Sequence, residues 1–201
     1  MSQLFQPLDL GGLRIDNRII IAPMCQYSAN DGSASDWHMM HLGSLSLSGA
    51  GLLILEATGV SPEAGITAWD LGLWSDENEA ALAKVLAAIR VHSDIPVAIQ
   101  LAHAGRKGSS LPPWEGGSQI PATAPHGWRT VSSSAISHGE GEEAPLSLDE
   151  AGLAKVKADF VAAAERAARL GIDAVRDGGR RDRAPTMRCS SRDLAAALGG
   201  G

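Results

Sequence analysis

At 201 residues, with 44% hydrophobic and 20% charged side chains, the chain is long enough for one domain with a sizeable core. Its formal net charge of −6 argues against nucleic acid or an anionic membrane as the main partner. Two cysteines, Cys25 and Cys189, are too few for a disulfide framework, no apolar run reaches membrane-spanning length, and Met1-Ser2-Gln3-Leu4-Phe5 lacks a basic and apolar leader; a soluble cytoplasmic protein is the expectation.

In chain order, Phe5, Leu8, Leu10, Leu13 and Ile15 around Gly11-Gly12 predict a hairpin over residues 3–16 that lids one end of a core. A first strand comes next, at 18–22. Its uninterrupted β-branched run Ile19-Ile20-Ile21 suits a strand buried on both faces. Pro23 ends it and turns the chain out at the strand's C-terminal end. A polar loop then leads to a helix over about 37–48, with Asp36 as its N-cap. Leu52-Leu53-Ile54-Leu55 is a second buried strand closing with Glu56-Ala57-Thr58-Gly59. Ser75-Asp76-Glu77-Asn78 caps a helix carrying Leu82, Val85, Leu86 and Ile89 at helical spacing. Val97-Ala98-Ile99-Gln100-Leu101 is the third strand.

Residues 102–147 form a long Ser-, Pro- and Gly-rich stretch, and Trp114 and Trp128 favour an ordered excursion packed on the rim. Ser147-Leu148-Asp149-Glu150 has the capping-box pattern for a helix to about Leu170, with Val156, Phe160, Ala163 and Ala167 on one face and Gly171 as its stop. Ile172-Asp173-Ala174-Val175 starts a fourth strand. Regular βα alternation means a parallel sheet, either an open doubly wound sheet or a (β/α)8 barrel. With no Gly-x-Gly-x-x-Gly after the first strand, the dinucleotide-binding open sheet loses ground.

Ligands of parallel α/β folds sit at the C-terminal ends of the strands. Ala22-Pro23-Met24-Cys25-Gln26-Tyr27 delivers a thioether, a thiol and the only tyrosine to that end. Taken alone, a cysteine there is more often core than chemistry, and Gln100 reads first as a buried amide bonded to backbone. His38 and His41 stand three apart on a helix with no third ligand in reach, so no metal site is expected. His103 reads equally as a site-shaping and as a structural imidazole.

From Arg176 the character changes. Residues 176–201 hold six Arg and three Asp, a charge of +3, against −9 for the preceding 175 residues. Such a composition predicts a solvated, disordered tail.

Ala22-Pro23-Met24-Cys25-Gln26-Tyr27 and Gln100-Leu101-Ala102-His103-Ala104-Gly105-Arg106-Lys107 resemble the Old Yellow Enzyme family of flavin-dependent ene-reductases, in the branch with a cysteine beside the flavin. Asp36-Trp37-His38, Gly49 to Thr58 and Pro113-Trp114-Glu115-Gly116 extend the resemblance collinearly over about residues 3–175. It implies an α/β fold, an incomplete (β/α)8 TIM barrel of about three and a half βα units, with FMN at the strands' C-terminal ends. By that resemblance Ala22, Pro23, Met24 and Cys25 lie against the isoalloxazine ring, with Cys25 tuning its redox properties. Ala57 offers its N–H to a flavin carbonyl, Gln100 meets the pyrimidine edge, and Tyr27 faces the substrate. The implied reaction moves a hydride from NAD(P)H through FMN to an activated C=C bond of a small α,β-unsaturated substrate.

The resemblance also marks a departure. The family's donor pair and tyrosine lie in a Glu-x-His-x-x-His-Gly-Tyr type of segment at strand four, where this chain has Arg176-Asp177-Gly178-Gly179-Arg180-Arg181. No histidine or tyrosine comes after it. The expectation is therefore residues 1–175 as the N-terminal portion of an FMN-binding barrel and 176–201 as a non-family tail, of the kind a shifted reading frame produces in GC-rich DNA. The alternative is a non-catalytic fragment, or a half-barrel that needs a separate C-terminal half to bind FMN. An uncovered half-barrel also favours assembly, as a homo-oligomer or with such a complementing half.

Overall fold

The alternating strands and capped helices produce a five-stranded sheet with helices on one face, as seen in a computed structural model that describes residues 2–177 and 187–189. In chain order the strands are β1 (Leu8–Leu10), β2 (Leu13–Ile15), β3 (Ile20–Ile21), β4 (Leu52–Gly59), β5 (Val97–Ala102), β6 (Val131–Ser132), β7 (Leu146–Ser147), β8 (Ala174–Asp177) and β9 (Met187–Cys189). The helices are α1 (Asp36–Ser46), α2 (Asp76–His92) and α3 (Glu150–Arg169). The main sheet has the order β3-β4-β5-β8-β9. Its first four strands are parallel, and β9 runs antiparallel to β8. No helix among the described residues is long and apolar enough to cross a membrane.

The two faces of the sheet are buried differently. Leu53 and Leu55 of β4, Val97, Ile99 and Leu101 of β5 and Val175 of β8 point to the helical layer. There they meet Leu42 of α1, Leu82, Val85, Leu86 and Ile89 of α2, and Ala163, Ala164 and Ala167 of α3. Leu52, Ile54, Ala98 and Ala174 point the other way, where Ile15 and the partly buried Leu8, Leu10 and Leu13 of the β1–β2 hairpin cover them. The hairpin is thus the lid that its apolar spacing predicts, closed by Gly11 and Gly12, both at positive φ. Entry into β4 needs a glycine: a Cβ on Gly51 would stand 2.2 Å from the Asn17 carbonyl oxygen.

Several expectations are corrected. The first strand is two residues rather than 18–22, and it is not buried on both faces. Ile19 and Ile20 are 38% and 40% exposed, because β3 is the sheet's edge and no strand lies beyond it among the described residues. The N-cap of α1 is Ser35, not Asp36; its N–H is taken by His38 Nδ1 at 3.0 Å. The N-cap of α3 is Asp149, whose carboxylate accepts the Gly152 N–H at 2.8 Å, while Ser147 belongs to β7. The excursion is ordered, with β6 and β7 pairing in parallel. Trp128 fastens it by donating from Nε1 to the Glu63 carbonyl at 3.2 Å, and Trp114, though 67% exposed, packs its ring against Tyr27. The fourth strand continues through Arg176 and Asp177, and β9 comes after it. The expected disorder of the rest of 176–201 falls on residues 178–186 and 190–201, outside the described ones.

Candidate active site

Pro23 ends β3, and the chain leaves the C-terminal end of the sheet as a loop that recrosses the end of β4. That crossing is fixed by a bulge. β4 and β5 pair Leu55 with Ile99 and then Ala57 with Gln100, so Glu56 is an extra residue without a partner across the ladder. Its side chain is 4% exposed. One carboxylate oxygen accepts the Gln26 N–H at 2.9 Å. The other stands 3.2 Å from Nε2 of His38, which is wholly buried. Because His38 Nδ1 accepts the Ser35 N–H, Nε2 carries the proton and faces the carboxylate. Gln26 is held a second time by its side chain, which donates to the Met24 carbonyl and accepts from Trp37 Nε1. A buried acid on the strand and an imidazole on the helix together set the path of residues 24–28.

Cys25 is the half-buried thiol of this loop. Burial, with the nearby carboxylates of Asp70 and Glu56, pushes its pKa up to about 12; the Ala57 N–H beside the sulfur offsets part of that rise. At neutral pH the group is therefore a thiol, a soft polarisable contact and not a nucleophile. Tyr27 has a left-handed backbone, φ 51°. Its ring meets Trp114 edge-on, with centroids 5.3 Å apart at 80°. Burial also raises the pKa of its phenol, aided by Cys25, Asp70 and Glu56, so the hydroxyl keeps its proton.

Across the sheet, Ala57, Gln100 and Arg176 lie in one row, paired strand to strand from β4 through β5 to β8. All three are half-buried. Arg176 Nη1 donates to Gln100 Oε1 at 3.1 Å, while its Nε is buried with no hydrogen-bond partner among the described residues. Asp70 stands behind the Cys25 loop, 4% exposed and bonded by the Ile66 N–H and the Thr67 hydroxyl. Burial raises its pKa despite those donors. A cavity of about 320 Å³ opens onto Asp70 between Thr67, Trp74, His126 and Trp128 and includes none of residues 22–27. A second, of about 240 Å³, is lined by Ala22, Met24, Gln26, His41 and Glu56.

The structure therefore brings Cys25 and Ala57 into contact and sets Gln100 beside Ala57. Ala22, Pro23 and Met24 stand at the open end of β3, with Met24 67% exposed. His38 and His41 part company: His38 faces Glu56, and His41 stacks on Trp37 at 5.9 Å. Nδ1 of His103 accepts the Gly105 N–H at 3.0 Å, its Nε2 is buried with no hydrogen-bond partner among the described residues, and burial lowers its pKa. Sequence reasoning does not single out Glu56, Asp70 or Arg176. A lone acid at the end of an otherwise apolar strand is the available signal for Glu56. The row suits a flat ligand edged with hydrogen-bonding atoms. Gln100 can donate and accept, and Arg176 Nε is a buried donor beside it, without a partner among the described residues.

Parallel strands with this open C-terminal row define part of a βα-barrel. The family model described as NADH:flavin oxidoreductase / NADH oxidase matches residues 3–176, and the chain belongs to that family. It is 38% identical to an NADH:flavin oxidoreductase of Gibberella zeae over 87% of this chain and 43% of that protein. It is 39% identical to an NADPH dehydrogenase of Listeria monocytogenes, covering 87% of this chain and 47% of that protein. Among solved structures, morphinone reductase superposes with a TM-score of 0.73 at 30% identity, over 88% of this chain and 48% of the other. Old Yellow Enzyme from Pichia, at 22% identity, shares the fold with a TM-score of 0.74. The chain thus spans about half the length of the relatives it matches, and its sheet is a partial TIM barrel.

Proposed function

We propose that this chain supplies the flavin-facing wall of an ene-reductase, which moves a hydride from NAD(P)H through FMN to the activated C=C bond of a small α,β-unsaturated substrate. The observation that carries the reading is the row Ala57–Gln100–Arg176, flanked by the Ala22–Cys25 segment, at the C-terminal ends of four adjacent parallel strands. Bound FMN would supply the hydride-accepting and hydride-donating centre. Ala22, Pro23, Met24 and Cys25 would pack against its ring system, and the Cys25 thiol would adjust its electronics as a polarisable neighbour. Ala57 and Gln100 would offer hydrogen bonds at its edge, and Tyr27, protonated at neutral pH, would face the substrate.

The exposed Ile19 and Ile20 at the β3 edge support a companion reading. Turnover needs a complementing half-barrel on that edge, and the chain alone binds FMN weakly and reduces no alkene. Titrating the purified chain with FMN, with quenching of flavin fluorescence as the signal, tests the first claim; absence of any saturable binding overturns it. NADPH-dependent reduction of cyclohexenone by the chain alone overturns the second.

A further inference from the structure

We infer that the cavity behind the Cys25 loop is a binding site for a small organic cation of the alkylammonium class, held between aromatic walls and the carboxylate of Asp70. It is a site apart from the flavin-facing row, since none of residues 22–27 and neither Ala57 nor Gln100 lines it. Its volume of about 320 Å³ falls in the range of small-molecule pockets, which pair apolar walls with a few convergent polar groups. Here the polar group is Asp70, which lines the cavity and is only 4% exposed. The Ile66 N–H and the Thr67 hydroxyl hold its two oxygens in place, at 2.6 and 2.7 Å. Burial raises its pKa despite both donors, the mark of a carboxylate short of nearby positive charge.

The walls are fixed before any ligand arrives. The Trp74 ring fills space that only glycine leaves open: a Cβ on Gly32 or Gly72 would stand 2.5 or 2.1 Å from it. Trp128 is pinned at both ends, its backbone N–H on the Ser109 hydroxyl and its Nε1 on the Glu63 carbonyl. His126 completes the lining and leans on Trp69, with ring centroids 5.2 Å apart. Walls set in advance lower the cost of binding. The charges in the lining choose the ligand class. No lysine or arginine lines the cavity, so an anion has no partner there. Of the other acids, Glu63 is spent on Lys155 at 2.8 Å, whereas Asp31 adds a second carboxylate to the lining. The described residues include no group of three side chains able to hold a metal ion, and a hard divalent ion needs more oxygen ligands than this. Indole rings attract an organic cation instead, most strongly where water is excluded.

The test titrates the full 201-residue chain with choline and, separately, with dimethylbutanol, its neutral isostere in which carbon replaces the nitrogen. Ionic strength is matched with NaCl, and NMR follows the indole N–H signals. Choline is expected to shift those of Trp74 and Trp128 saturably and to leave those of Trp37 and Trp114 unmoved, since neither lines the cavity. Dimethylbutanol, equal in shape but uncharged, is expected to bind about tenfold more weakly. Asp70→Asn, which keeps an acceptor oxygen for the neighbouring donors, is expected to weaken choline about tenfold and dimethylbutanol hardly at all. Equal affinity of the wild type for choline and its isostere overturns the inference, and that comparison needs no variant to fold. Unchanged choline affinity in a folded D70N overturns it too, as do saturable shifts confined to indoles outside the cavity. The absence of any saturable shift up to about 50 mM choline has the same consequence. None of these outcomes bears on the flavin reading, which stands or falls on FMN binding measured separately.

Discussion

The two neighbours of β4 are attached to it by different physics. Toward β5 the ladder pairs six positions, and the residues beneath it are aliphatic and almost wholly buried. Toward β3 it pairs two, Ile20 with Leu52 and Ile21 with Leu53. Beyond them the chain is held by polar groups: Glu56 to the Gln26 N–H, Asn17 to the Gly49 carbonyl, and Ser35 to the Ser28 carbonyl. The comparison separates what makes the sheet stable from what positions the candidate site. The core is non-directional and tolerates repacking; the loop carrying Cys25 depends on a few directional bonds. A chain can keep the first and lose the second.

The largest effect is therefore expected on the β5 side. Leu55 is fully buried between α1, α2 and β5, and Leu55→Ala should cost about 2–5 kcal/mol, read as a lower denaturant midpoint. A cost below about 1 kcal/mol would mean that the aliphatic layer is not the main support of the sheet.

Next is the polar side. Glu56→Ala removes the acceptor of the Gln26 N–H and leaves His38 buried at 0% exposure without its carboxylate, at about 1–3 kcal/mol. Its signature is local: the Gln26 amide should exchange hydrogen faster, while amides of β5 hold their protection. Uniform loss of protection across β4 and β5 would show that the two sides unfold as one unit, and the comparison would collapse.

The same contrast explains what is legible in the sequence. The strands β4 and β5, helix α2 and the hairpin lid are readable because they rest on apolar periodicity and turn chemistry, which are local signals. The Cys25 segment is readable because Pro23 ends a β-branched run. The features that escape depend on contacts across long sequence separations. The exposure of β3 is hidden because a run such as Ile19-Ile20-Ile21 does not say whether a neighbour lies on its far side. The role of Glu56 comes from a bulge that shifts the β4–β5 register, and nothing in Leu55-Glu56-Ala57 announces that shift. Arg176 reads as the start of a solvated tail, because residues 177–183 are equally charged and equally free of apolar period; its pairing with Gln100 comes from the β5–β8 register. Ser147 satisfies the capping-box pattern, yet the backbone places the helix start two residues later, where Asp149 bonds Gly152.

A smaller effect distinguishes the two sides by pH. Cys25 has a folded pKa raised to about 12, chiefly by burial. A raised pKa stabilises the fold fully below the unfolded value, near 9.0, and that contribution is lost as pH climbs toward the folded one. At pH about 10 the loss should be roughly 1 kcal/mol, absent in Cys25→Ala, and alkylation of the thiol should accelerate steadily from about pH 8 to 11 with no plateau. A plateau near pH 9.0 would mean that the loop does not shield the thiol and that its polar ties are loose in solution.

The smallest effect lies on the outer helices, where polar bonds reinforce an apolar layer instead of replacing it. Arg166 bonds Asp76 at 2.6 Å and Glu79 at 2.8 Å, and Arg169 reaches Glu79 at 2.7 Å, tying the end of α3 to the start of α2. The Arg169 bond, countered in part by burial and joined by the Arg166 bond, holds the pKa of Glu79 below its ordinary value. A depressed carboxyl contributes stability that is present above its unfolded pKa and lost as pH falls through the folded one. The window is thus acidic, opposite to that of Cys25. Because these pairs border solvent, Glu79→Gln should cost only about 0.5–1 kcal/mol at neutral pH and less in high salt. The variant and the wild type should converge in stability once the pH has fallen below the depressed pKa of Glu79. A cost as large as that of Glu56→Ala would show that polar bonds are decisive on both sides of β4, and that the site loop is no more fragile than the rest of the sheet.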